Sequence, residues 1–178
     1  MKYYDDDHKK AIDNIDKIWE SLQELNNLAK TKGIVDIFQD NGAKILQQLI
    51  YLNFKSLPKR EGNDAVDVNG VEWEMKSINI ATSASGFSTN HHTNRVIIKK
   101  YRKVPWSFAI YDDIDLLEIY VMTPDKLEPL FLHWEKKLET MSHLNNPKIS
   151  IKYVRENGIL VYSEGTMYID PSSITEDF

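Results

Sequence analysis

Asp64, Glu74 and Lys76 are the residues whose types and spacing could do chemistry. An Asp is followed ten residues later by Glu-x-Lys, the pattern D-x(n)-E-x-K. Two carboxylates can share a divalent metal through hard oxygen ligands. A lysine beside them can orient or deprotonate a water, or stabilise charge developing on a phosphate. Taken alone the pattern is also that of a hairpin with a charged solvent face, and such spacings arise often by chance.

These residues need two extended segments to meet. Asn69-Gly70 is a strong short hairpin signal, because both residues tolerate the positive φ of a type I′ turn. The second strand alternates: Val71, Trp73 and Met75 on one face, Glu72, Glu74 and Lys76 on the other. The apolar face can pack on a core while the carboxylates and the ammonium point together at a cleft. A two-residue turn pairs Val68 with Val71, which places Asp64 opposite Met75 on the apolar face. For Asp64 to meet Glu74, the first strand must carry a bulge or end before Asp64. Gly62-Asn63 offers such an irregular approach.

The chain has 178 residues, 42% of them hydrophobic and 28% charged, which suits one globular domain with a core of its own. There is no cysteine, so disulfides and Cys-based zinc sites are excluded and a reducing cytoplasm fits. No apolar run approaches a membrane span, and the acidic N-terminus is no signal peptide. The net charge of −5 argues against a simple electrostatic nucleic-acid binder. Residues 41–110 nevertheless hold ten Lys and Arg against five Asp and Glu, so the remainder carries −10. The acid-free basic stretch 95–103 reads by itself as a solvated strand and loop.

The spacing predicts a long amphipathic helix over residues 8–30, with Ile12, Ile15, Ile18, Trp19, Leu22, Leu25 and Leu28 on one stripe. It could fold back on its own domain or pair with a second copy. A second helix is predicted over 42–53, with Asp40 or Asn41 as its N-cap. Beyond the hairpin, residues 81–86 are a small-residue loop, and 87–94 are nearly all hydrogen-bonding side chains. His91-His92 is a poor zinc site, since adjacent histidines lack the usual spacing and no cysteine accompanies them. Imidazoles, hydroxyls and amides there can instead read base edges. Strands are predicted over 106–111 and 116–122, a helix over 123–141, and a turn at Asn145-Asn146-Pro147. Further strands are predicted over 149–154, 159–162 and 166–169, and then a loosely held acidic tail from 171.

Read together, several stretches resemble the PvuII restriction endonuclease family of the PD-(D/E)xK nuclease superfamily. They are DIFQDNG at 36–42, REGNDAVD at 60–67, EMKSINI at 74–80, GFST at 86–89, His91-His92, VII at 96–98, KYR at 100–102, VPW at 104–106, FAIY at 108–111 and NNPKI at 145–149. The resemblance runs from about residue 19 to 162. It implies an α+β fold: a central mixed β-sheet of restriction-endonuclease type flanked by helices, with an N-terminal dimerisation helix. The expected layout is a single nuclease domain over 1–178. Within it, about 8–36 would be the dimerisation part, 37–106 the catalytic and cleft part, 107–162 the remaining sheet, helix and recognition loop, and 163–178 a C-terminal extension.

The resemblance further implies a type II site-specific deoxyribonuclease. It would be a homodimer that hydrolyses duplex DNA with Mg²⁺ at the palindrome CAGCTG, leaving blunt ends, in a bacterial cytoplasm beside a companion DNA methyltransferase. Asp64, Glu74 and the Met75 carbonyl would ligate Mg²⁺, with Glu61 bordering the site. Lys76 would position and activate the water, and Tyr101 would lie near metal and scissile phosphate. Asp40 would reach the minor groove, which displaces its N-cap reading. Ser88, His91, His92, Asn145 and Asn146 would contact bases in the major groove. Asn90 departs from the family, which has a histidine there. One extra residue lies in the loop between Asn79 and Gly86, and both departures bear on site preference more than on cleavage. Two rival readings are a non-catalytic DNA-binding protein on the same fold and an acidic interaction module. The intact Asp64, Glu74 and Lys76 argue against the first, and only the net charge suggests the second.

Overall fold

A computed structural model of the chain describes residues 6–34, 37–38, 41–57, 63–82 and 84–175. It divides into two compact units, residues 1–47 and 48–178. In the first, α1 (Asp6–Thr31) follows the predicted apolar stripe. Ala29 near its end is buried with Ile37 and Leu46, the latter on α2 (Gly42–Tyr51). Ile18, Leu25 and Leu28 remain on the surface of the single chain.

The second unit is built on a mixed sheet. Its strands are β1 (Lys55–Ser56), β2 (Ala65–Val66), β3 (Glu72–Asn79), β5 (Trp106–Asp112), β6 (Asp115–Met122), β8 (Ile159–Ser163) and β9 (Thr166–Met167). Among the described residues they stand side by side in that order. β3 and β5 run parallel and every other neighbouring pair is antiparallel. A separate pair joins β4 (Gly86–Ser88) to β7 (Lys148–Ser150). The helices of this unit are α3 (Arg95–Tyr101), α4 (Pro124–Lys137) and α5 (Ile151–Asn157). This is the mixed α+β architecture expected of a restriction endonuclease.

β5 is buried on both faces, as a central strand must be. Trp106, Phe108 and Ile110 form one core with Ile98 and Tyr101 of α3, Leu127, Phe131 and Trp134 of α4, and Val154 of α5. Elsewhere in the unit Trp73 of β3 packs on Phe54, ring centroids 4.8 Å apart.

Three stretches differ from the sequence expectation. Residues 95–101 are helix, not strand: the Asn94 side chain accepts from the Val96 and Ile97 amides and caps it. Ile98 and Tyr101, one turn apart, then reach the core, while Val96 stays outside. Residues 151–154 are likewise helix, begun by the Ser150 side chain, which accepts from the Tyr153 amide. Residues 171–175 are not a loose tail, since Pro171–Ile174 form a 3₁₀ turn and Thr175 is buried; the rest of the predicted tail lies outside the described residues.

Candidate active site

The hairpin that carries Asp64 and Glu74 closes through three residues, Val68, Asn69 and Gly70, not two. Asp67 pairs with Val71, its N–H donating to the Val71 carbonyl at 3.0 Å, and Gly70 sits at φ +82°. That is a three-residue loop ending in a left-handed glycine. The Asp67 side chain enforces it by accepting from the Asn69 and Val71 amides, both at 2.9 Å. The register is therefore Ala65 opposite Trp73 and Val66 opposite Glu72. The Asp64 amide also donates to the Trp73 carbonyl at 2.9 Å. Two residues of the first strand thus oppose one of the second, which is a β-bulge. The shift moves Asp64 off the face expected from a two-residue turn. Its carboxylate lies at β3, where Oδ2 accepts from the Met75 amide at 2.7 Å.

Along β3 the alternation holds. Trp73 and Met75 share one face, and Glu74 and Lys76 the other. Glu74 is 6% exposed, and its Oε1 accepts from Lys76 Nζ at 2.5 Å. The parallel register sets Glu74 beside Trp106 and Lys76 beside Phe108. Lys76 Nζ stands 5.6 Å from the Trp106 ring centroid, a cation–π contact in the same pocket. The Tyr101 ring meets the Trp106 ring edge to face at 4.6 Å.

Electrostatics draw four of the predicted groups together. Burial, with the charge of Asp64, outweighs Lys76 and pushes the Glu74 carboxyl up to about 6. Burial opposes the Lys76 charge, but Glu74 and then Asp64 more than compensate, and its pKa ends above the usual lysine value. Burial and then Glu74 push the Tyr101 phenol up to about 12, while the Asn90 backbone amide, hydrogen-bonded to it, works the other way. Tyr101 is therefore a neutral hydrogen-bonding group at physiological pH, and Lys76 an ammonium.

The donor set fits a hard divalent cation. Two carboxylates repel one another here, and burial makes the Glu74 charge costlier than Lys76 alone offsets, which a cation would relieve. In a strand the N–H and C=O of one residue point to the same edge. The Met75 carbonyl therefore faces the edge where its amide meets Asp64. Among the described residues no group of three or more His, Cys, Asp and Glu side chains gathers around a single point. Glu61 and Asp40, both predicted to take part in the site, lie outside the described residues.

The other predicted residues form a second group. Ser88 ends β4, His91 and His92 follow that strand, and Asn145 and Asn146 precede β7. Both loops are stitched together by β4–β7 pairing, by the Thr93–Leu144 bridge and by the Thr89 hydroxyl donating to the Pro147 carbonyl at 2.8 Å. Gly86 permits the close approach, since a Cβ there would lie 2.7 Å from the Ile149 carbonyl oxygen. Ser88, His91, His92 and Asn145 are exposed, and Asn146 is half-buried with φ +48°. The His92 ring packs edge-on against His143 at 4.7 Å. Tyr101, bonded to the Asn90 amide, joins this group to the first.

Residues 10–162 match the family described as restriction endonuclease PvuII. The chain belongs to the PvuII restriction endonuclease family. It is therefore a nuclease, a DNA-binding hydrolase of a restriction system. In this PvuII family member no helix among the described residues is long and apolar enough to cross a membrane. Asp67 and Trp106, which lies beneath Lys76, are two residues of this site to which the sequence expectation assigns no role. An Asp two residues before Asn69-Gly70 is a signal for a side chain that bonds the following backbone, and it was the clue to the longer loop.

Proposed function

We propose that this chain is a type II restriction endonuclease that hydrolyses a phosphodiester in duplex DNA with Mg²⁺. The observation that carries the reading is the meeting of Asp64, Glu74 and Lys76 at one end of a bulged hairpin within a PvuII family chain. Asp64, Glu74 and the Met75 carbonyl would hold the cation, with Glu61 bordering the site. Bound there, Mg²⁺ supplies neutralisation of phosphate charge and a lowered pKa for water. Water attacks phosphorus in line, and the bond to the 3′ oxygen breaks. Lys76 acts as a hydrogen-bonding cation toward the water and the phosphate, because Glu74 and Asp64 favour its charged form. Trp106 and Tyr101 wall the ammonium and keep it aimed. Tyr101, as a neutral phenol, donates a hydrogen bond near the scissile phosphate.

Sequence is read by Ser88, His91, His92, Asn145 and Asn146 in the major groove, with Asp40 at the minor groove. Asn amides suit adenine N6/N7, and imidazole donors suit guanine N7 or O6. The proposed target is CAGCTG, cut at its centre. A palindrome calls for a two-fold dimer, in which each half-site meets the same residues. The exposed Ile18, Leu25 and Leu28 of α1 supply an apolar stripe for that contact. A methyltransferase of the same specificity would protect host DNA, and the setting would be a bacterial cytoplasm. The test is to incubate the protein with a plasmid of known sequence, with and without Mg²⁺, and to map the ends. Blunt cuts at CAGCTG alone support the whole reading. Cuts at another palindrome retain the cleavage chemistry and assign the change to Asn90 or to the longer loop before Gly86. Site-specific binding without cleavage rejects the enzyme.

A further inference from the structure

The family match ends at residue 162, yet the chain continues in an ordered way to Thr175. After β9 it turns back. Asp170 Oδ1 accepts from the Ser172 amide at 2.9 Å and starts the 3₁₀ turn Pro171–Ile174. That turn ends against the closed end of the hairpin that carries Asp64 and Glu74. The Thr175 hydroxyl donates to Asp67 Oδ2 at 2.7 Å, and Thr175 is only 2% exposed. The Asn69 side-chain amide donates to the Ser172 carbonyl at 2.9 Å and lies 3.3 Å from the Thr175 hydroxyl. Asp67 Oδ2 also accepts from Trp73 Nε1 at 2.9 Å, and Trp73 directly precedes Glu74. One buried carboxylate thus ties together the turn, the second strand and the C-terminal segment.

The tie acts on register. β2 has only two residues in its ladder with β3, so few backbone bonds fix the pairing. A slip of one residue turns every side chain of a strand to the other face. It would carry the Asp64 carboxylate away from Glu74. Asp67 fixes the loop length through the Asn69 and Val71 amides, and Thr175 and Ser172 hold Asp67 and Asn69 in place. The distance from Asp67 to Asp64, about 10 Å along a strand, keeps Thr175 away from the reacting atoms.

We propose that the C-terminal turn is a clasp, and that Thr175 is a positioning residue which holds the hairpin in the register that brings Asp64 to Glu74. The catalytic part of this inference rests on the nuclease reading above; the clasp itself does not.

The experiment compares wild type with Thr175→Val, Thr175→Ser and Asn69→Ala, all in the full-length chain. Asn69→Ala removes the exposed half of the clasp and leaves the buried carboxylate untouched, so it reports even if Thr175→Val fails to fold. Three quantities are measured: hydrogen exchange at the Asn69 and Val71 amides, affinity for a CAGCTG duplex in Ca²⁺, and single-turnover cleavage in Mg²⁺. Losing a hydrogen bond to a buried charged group predicts about tenfold faster exchange and about tenfold slower cleavage in Thr175→Val. DNA affinity should stay within about twofold, since base and phosphate contacts lie elsewhere. Thr175→Ser should restore both exchange and rate, and Asn69→Ala should show the same split in smaller measure. Unchanged exchange and rate in Thr175→Val and Asn69→Ala would overturn the clasp. Equal loss of affinity and rate, not restored by Ser, would overturn positioning in favour of general destabilisation. If wild type does not cleave while exchange still responds, the nuclease reading fails and takes the positioning role with it, but the clasp contact stands.

Discussion

The Asp64 carboxylate accepts a hydrogen bond from the Met75 amide at 2.7 Å, although the two residues lie on opposite arms of the hairpin. That bond fixes Asp64 beside the strand that presents Glu74 and Lys76. It exists because the turn has three residues and the first arm bulges at Asp64. The candidate active site is thus made by a turn, and by the buried Asp67 that shapes it.

Lys76 is bonded to Glu74 and lies over Trp106, charged and aimed rather than poised as a base. Lys76→Ala should leave duplex affinity in Ca²⁺ nearly unchanged and lower the cleavage rate by about 10²–10³-fold. Parallel binding and single-turnover assays check this. An equal loss of both would remove Lys76 from the chemistry.

Burial, with the charge of Asp64, outweighs Lys76 and pushes the Glu74 carboxyl up to about 6, above an ordinary carboxyl. Below that pH it holds a proton that a cation must displace; above it, none. Affinity for Ca²⁺ should therefore fall about tenfold per pH unit below 6 and level off above 6. Calorimetric titration from pH 5 to 8 tests the sign, and flat affinity across that range would contradict it.

Asp67 accepts from two backbone amides, from Trp73 Nε1 and from the Thr175 hydroxyl. Asp67→Asn keeps the shape but turns an acceptor-only group into one that carries two donors. It should lower stability by about 2 kcal/mol, read in a denaturant melt. A change of only a few tenths would mean that the node is not a structural anchor.

Asn146 lies at φ +48°, so alanine there would strain the backbone as well as remove the amide. Asn146→Gly isolates the second effect. It should weaken cognate binding by about 10–100-fold and leave weak nonspecific binding in place. Competition between cognate and scrambled duplexes measures the ratio, and an unchanged ratio would exclude Asn146 as a reader.

The sequence made β3 legible because period-two alternation from Val71 to Lys76 has one physical solution. It made the helices of residues 6–31 and 124–137 legible through their apolar stripes. Register was harder, since Asn69-Gly70 is compatible with two loop lengths and the choice lies with the Asp67 side chain. Val96-Ile97-Ile98 is a β-branched run, which favours a strand by propensity. The Asn94 cap and the core contacts of Ile98 and Tyr101 overrode that preference. The tail is similar: its composition is that of a loose end, and the tertiary contacts of Thr175 with Asp67 and of Ser172 with Asn69 order it. The meeting of residues 88–92 with 145–146 depends on pairing across some sixty positions and left no local signal.

The most direct test of the central claim is Mg²⁺-dependent single-turnover cleavage of a CAGCTG duplex by wild type and Asp64→Ala, with affinity measured in parallel in Ca²⁺. The account predicts that Asp64→Ala still binds the duplex and cleaves at least about 10³-fold more slowly. Cleavage by Asp64→Ala at the wild-type rate would contradict it.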